Sequence, residues 1–177
     1  MNHDLLLLSN SSLHGMGFLE HALDAIADFL RGRTVHFAPF AIADHDGYTA
    51  KAARVLEPLG VRVVGLHTVD ARAAIEDAEV IFVGGGNTFR LLKVVQRLGL
   101  IEPVRRRAAA GDLAYLGSSA GPNLACPTIR TSNDMPIVEP ETFGAFALLP
   151  FQVNPHYRDP DPDSTHMGET REQRIAE

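Results

Sequence analysis

Ser119 lies in Gly117-Ser118-Ser119-Ala120-Gly121, directly after the apolar run Leu113-Ala114-Tyr115-Leu116. Gly-x-Ser-x-Gly has the form of a nucleophile elbow, a tight strand-to-helix turn that carries a serine with its hydroxyl at a cleft. Glycines are needed on either side because a Cβ there would meet the neighbouring strand and helix. At the start of the following helix, the backbone N–H of Ala120 suits a developing oxyanion. A second glycine run, Gly84-Gly85-Gly86-Asn87, follows another apolar stretch. It lacks the Lys-Ser/Thr of a phosphate loop and the spacing of a dinucleotide fingerprint. It fits better as pliant backbone that brings the Gly86 N–H beside the serine as a second oxyanion donor. On residue types alone, a glycine-rich corner with incidental serines and a close-packed βα turn stay open.

A serine at its ordinary pKa needs a base. Among the eight histidines, His156 in Val153-Asn154-Pro155-His156-Tyr157 follows a predicted strand, which puts it on the edge that holds Ser119. His36 and His67 sit in or just after strands and read as structural, and His21 falls on a helix surface. His3, His14 and His45 are in loops, and His166 is in or beside the Asp/Pro-rich loop at 159–164. Cys126, the only cysteine, lies among apolar neighbours and reads as a buried, inert thiol. It also excludes a disulfide within the chain. No His/Cys/Asp/Glu pair has metal-site spacing, so no metal is expected, and acyl transfer by a serine and a histidine implies no cofactor.

These residues need elements to position them, and the chain alternates strand-like and helix-like segments. Apolar runs at 4–9, 34–39, 61–66, 80–83 and 113–116 predict strands; helical spacing marks 18–30, 48–56, 70–78, 88–98 and 101–110. Strands apolar on both faces with helices between them predict an α/β fold, a doubly wound, mostly parallel sheet in three α/β/α layers of flavodoxin-like type. Right-handed crossovers then bring every strand C-terminus, with GGGN and GSSAG, to one edge. After Pro127 the pattern loosens, with six of the eleven prolines, one more predicted strand at 149–154 and a helix beginning near Glu169.

Composition narrows the function further. A net charge of −6 argues against a nucleic-acid partner, since the only basic run is the short one at 105–107. Four leucines behind Asp4 are too few for a secretory signal, and no run approaches the ~20 apolar residues of a membrane span. A soluble, cytoplasmic protein without a membrane partner is expected.

Taken together, LLLLSNSS, VGGGNTF, GSSAGPNLACPTIRTSNDMPIV, NPHY and GETREQRI resemble the peptidase E family. These are aspartyl dipeptidases among the serine peptidases, with the class I glutamine amidotransferase-like fold. The resemblance runs in order over essentially the whole chain. It implies hydrolysis of dipeptides with an α-linked N-terminal Asp, with Ser119 as nucleophile, His156 as base and the backbone of Gly86 and Ala120 as oxyanion hole. It further implies an active-site role for Asp134, holding the substrate ammonium group. Arg171, and after it Arg130, would pair with the substrate's aspartyl carboxylate. An Asx turn at Asp134 and surface ion pairs at the arginines are the plainer readings.

This chain departs from the family at two places. Ser118 stands where the family has an aromatic residue, at a position expected beside the cleft. The acid that orients the histidine is implied to be a glutamate in a stretch with which the family continues past residue 177. Residues 1–177 are therefore expected to form a single domain lacking its C-terminal portion, unless Asp134 or an acid within 159–163 substitutes. The expected partner is a small peptide with N-terminal Asp, and a homodimer is compatible with the fold. Three other readings stay open: a cyanophycinase-like β-aspartyl peptidase, a catalytically incomplete binding protein of the same fold, and a nucleotide binder using GGGN.

Overall fold

The computed structural model describes residues 4–159, 163 and 170–176. Its apolar runs become strands because both faces of each are covered. Strands β1 (Leu5–Leu8), β2 (Val35–Ala38), β3 (Val63–Gly65), β4 (Val80–Val83) and β5 (Ala114–Ser118) form one sheet in the order β1-β5-β4-β2-β3. Every pairing is parallel. All strand C-termini consequently reach the same edge.

Alternation along each strand feeds two separate cores. Leu6, Leu8, Val35, Phe37, Val80, Phe82 and Leu116 face one side, against Ile26 and Leu30 of α1 (Leu23–Leu30) and Ala52 and Leu56 of α2 (His45–Leu56). Leu5, Leu7, Ala38, Ile81, Val83 and Tyr115 face the other. There they meet α3 (Ala71–Asp77), α4 (Thr88–Arg97), α5 (Ile101–Ala110) and α6 (Ala120–Ala125) through Ile75, Leu91, Val95, Val104 and Leu124. Burying a side chain of this size contributes about 1.5–3 kcal/mol, so the two cores are what hold the three layers together. A last helix, α7 (Arg171–Ala176), ends the described chain.

Side-chain caps start α2, α3 and α4, as Thr170 does for α7 by accepting from Gln173 N–H at 3.2 Å. Asp44 accepts from Gly47 N–H at 2.9 Å, Asp70 from Ala73 N–H at 3.0 Å, and Asn87 from Arg90 N–H at 3.0 Å. The Asp44 cap starts α2 at His45, three residues before the position that apolar spacing predicts.

One predicted element is absent: residues 149–154 form no strand. Between Pro150 and Pro155, side chains rather than a neighbouring ladder satisfy the backbone. Val153 O accepts from Thr131 Oγ1 at 2.6 Å, and Val153 N–H donates to Cys126 Sγ at 3.3 Å. Among the described residues, no helix is long and apolar enough to cross a membrane.

Candidate active site

At the end of β5 the chain turns into α6 through Ser119, whose φ of 56° and ψ of −100° lie outside the usual L-residue regions. Such a conformation costs on the order of 1–3 kcal/mol and persists only when its surroundings impose it. Here they do. Ser119 N–H donates to Leu8 O at 2.9 Å, extending the β1–β5 ladder into the turn. A Cβ on Gly121 would lie 2.5 Å from Val83 O of β4, and one on Gly117 would lie 3.0 Å from the Gly121 carbonyl carbon. The elbow is therefore pressed against strand and helix with no room for side chains. From 113 to 126, Ser119 is the only residue that is not fully buried.

A serine at a helix N-cap ordinarily accepts a backbone N–H from the first turn. The Ser119 side chain makes no such capping bond. Its Oγ lies 2.8 Å from His156 Nε2. The other ring nitrogen, Nδ1, is hydrogen-bonded to Asn10 Oδ1. An amide oxygen only accepts, so Nδ1 carries the proton and Nε2 is left bare to accept from the Ser119 hydroxyl. This is the tautomer a general base requires.

His156 itself sits at φ 61°. Its N–H donates to Ser9 Oγ at 2.8 Å, and its carbonyl accepts from Arg171 Nη1. The loop bearing the histidine is thus tied to the end of β1 at one point and to α7 at another. Asn10 follows β1, whereas Ser119 follows β5, and these strands are neighbours in the sheet. In the sequence Asn10 stands in Ser9-Asn10-Ser11-Ser12, a run whose residue types read as a turn. The signal that could have found it is its place just past a strand C-terminus, which needs the strand order to become meaningful.

The glycine run after β4 packs against the same turn. A Cβ on Gly85 would stand 2.8 Å from Ser119 Cβ and 2.7 Å from Ser11 Oγ. Gly85 N–H donates to the Tyr48 hydroxyl, which also bonds Ser11. Burial, partly offset by these two hydrogen bonds, pushes the Tyr48 phenol up to about 12, so it stays protonated. The N–H groups of Gly86 and Ala120 make no hydrogen bond among the described residues. Ser118 is fully buried beneath this turn, its Oγ 3.1 Å from Ser11 Oγ, and so does not border the cleft as its position suggests.

Asp134 is held at the start of α4. Its Oδ2 accepts from Thr88 N–H at 2.7 Å and from Thr88 Oγ1 at 2.6 Å, and it makes no hydrogen bond to His156. It nevertheless shares a cleft of about 870 Å³ with Arg130, Asn154 and Arg171. Arg130 stacks its guanidinium 5.4 Å from the Phe143 ring centre and forms no ion pair among the described residues. Arg171, by contrast, is engaged with the carbonyl of His156. Cys126 is buried, which raises its thiol pKa, and its Sγ–H donates to Pro122 O at 3.3 Å. His166 and residues 160–162 lie outside the described residues.

Comparison with known proteins bears on this arrangement. Residues 5–177 match peptidase family S51. Peptidase E of Streptomyces coelicolor is 54% identical over 176 residues, covering 98% of this chain and 72% of that protein. Peptidase E of Escherichia coli is 57% identical over 178 residues, covering 98% of this chain and 77% of the relative. The crystal structure of a peptidase E-like protein from Listeria monocytogenes superposes with a TM-score of 0.66 at 27% identity, over 85% of this chain and 77% of that one.

Proposed function

The chain belongs to peptidase family S51, and from that premise we propose that Ser119 and His156 hydrolyse dipeptides bearing an α-linked aspartyl residue at the N-terminus. The protein is a serine-type peptidase, and the reaction is acyl transfer. Nε2 of His156 takes the hydroxyl proton as Ser119 Oγ attacks the scissile carbonyl carbon. The negative charge moves to the carbonyl oxygen, where the Gly86 and Ala120 N–H groups receive it; one such donor is worth ~10²–10³ in rate. The imidazolium then gives its proton to the leaving nitrogen, the C–N bond breaks, and an aspartyl ester of Ser119 remains. Water attacks that ester, losing its proton to His156, and the serine leaves with the proton returned.

The observation that carries this reading is the 2.8 Å contact between Ser119 Oγ and a bare His156 Nε2 in a strained turn whose hydroxyl caps nothing else. In the adjoining cleft, Asp134 receives the substrate ammonium, and Arg130 and Arg171 the side-chain carboxylate. Asn10 holds the tautomer of His156. The expected setting is the cytoplasm.

Hydrolysis of Asp-Leu and Leu-Leu, with Ser119→Ala as control, tests the proposal. Turnover of Asp-Leu that vanishes in Ser119→Ala, with Leu-Leu untouched, is the expected result. Equal cleavage of both peptides, or activity that survives Ser119→Ala, sinks it.

A further inference from the structure

The aspartyl residue of such a substrate has its charges matched in the Arg130–Asp134–Arg171 cleft, but its leaving residue has no assigned place. A second pocket, of about 470 Å³, opens at the same edge of the sheet. Ser11 and Gly85 line it, and these are the residues that lie against Ser118 and Ser119. The wall they share also adjoins Asn10, the partner of His156, whose Nε2 must reach the leaving nitrogen. Phe18, Ile42 and Tyr48 supply apolar lining, with Phe18 and Tyr48 packed edge to face at 5.9 Å.

Two charged side chains line the pocket. The Asp44 carboxylate is engaged at the α2 N-cap by Gly47 N–H. Lys51 is exposed, with Nζ 4.8 Å from the Phe18 ring centre, and forms no ion pair among the described residues. An apolar surface ending in an unpaired cation fits an amino acid with an apolar side chain and a free α-carboxylate. That carboxylate is also what separates a dipeptide from a longer peptide.

We propose that this second pocket receives the leaving residue, with its side chain against Phe18, Ile42 and Tyr48 and its α-carboxylate paired with Lys51. The assignment rests on the dipeptidase reading above and makes Lys51 a determinant of specificity.

The test compares kcat/KM for Asp-Leu and Asp-leucinamide, which differ only in the terminal charge, in the wild-type protein, Lys51→Met and Lys51→Arg. The wild type is expected to favour the free acid about tenfold, as a charge-assisted contact allows. Lys51→Met is expected to bring the ratio close to one, and Lys51→Arg to keep most of it. A wild-type ratio near one, or a preference that Lys51→Met retains, overturns the Lys51 assignment while leaving the dipeptidase reading intact. Absence of Ser119-dependent cleavage of either compound overturns both.

Discussion

At the scale of single residues, the site turns on which nitrogen of His156 holds the proton. Asn10 decides this with a neutral group: its oxygen fixes Nδ1–H, but it brings no charge to stabilise the imidazolium formed during the reaction. Asn10→Ala removes that acceptor, frees the ring to adopt the wrong tautomer, and is expected to lower kcat for Asp-Leu by ~10²–10⁴. Asn10→Asp keeps an acceptor for Nδ1–H and is expected to retain more of kcat than Asn10→Ala. Equal losses in the two variants would show that residue 10 does not face Nδ1 during turnover. Ser119 and His156 can be picked from sequence because each follows a run that reads as a strand. Asn10 cannot, because an asparagine in Ser-Asn-Ser-Ser reads first as a turn, and its meaning depends on β1 lying beside β5.

At the scale of elements, the elbow works because the neighbouring strand and helix leave no room for a Cβ at Gly117 or Gly121, on either side of Ser119. Gly121 shows how tightly. Its missing Cβ would fall 2.5 Å from Val83 O, a backbone atom that cannot step aside. Gly121→Ala must therefore push α6 away from β4, at a cost of about 1–3 kcal/mol for overpacking. The same shift carries Ala120 N–H and Ser119 with it, so kcat should fall more than tenfold, even well below the unfolding temperature. A variant with a normal melting temperature and normal kcat would mean that the glycine spacing is incidental. Most of these elements were legible as apolar runs and helical spacing, and Val80–Val83 and Ile101–Ala110 coincide with their expected limits. The segment at 149–154 misled for a physical reason. Of its apolar residues, Leu149 and Val153 are half-buried and Phe151 is exposed, and the Val153 backbone finds its partners in Cys126, Thr131 and Asn123, so no ladder is required.

At the scale of the whole molecule, the three-layer arrangement separates stability from chemistry: the reactive groups gather at one edge, and other titratable groups lie within the sheet. His36 of β2 is such a group, separated from β5 by β4. Its Nδ1 is buried without a hydrogen-bond partner. Burial, helped by the nearby Arg62 charge and only partly opposed by Glu79, holds its pKa below the ordinary 6.5. A histidine depressed in the folded state lends stability that is full above the unfolded value and is lost as pH falls, because the unfolded chain takes up the proton first. Acidification from pH 7.5 to pH 5.5 should therefore lower the melting temperature of the wild type more than that of His36→Gln, whose side chain does not titrate. The comparison is best made on the difference between the two proteins at each pH, since it cancels the other histidines and carboxylates that both share. Parallel decline of the two melting temperatures would show that His36 gains its proton as readily in the folded protein as in the unfolded chain. A gap that opens only below pH 6.5 would identify this strand, well away from Ser119, as a source of acid sensitivity.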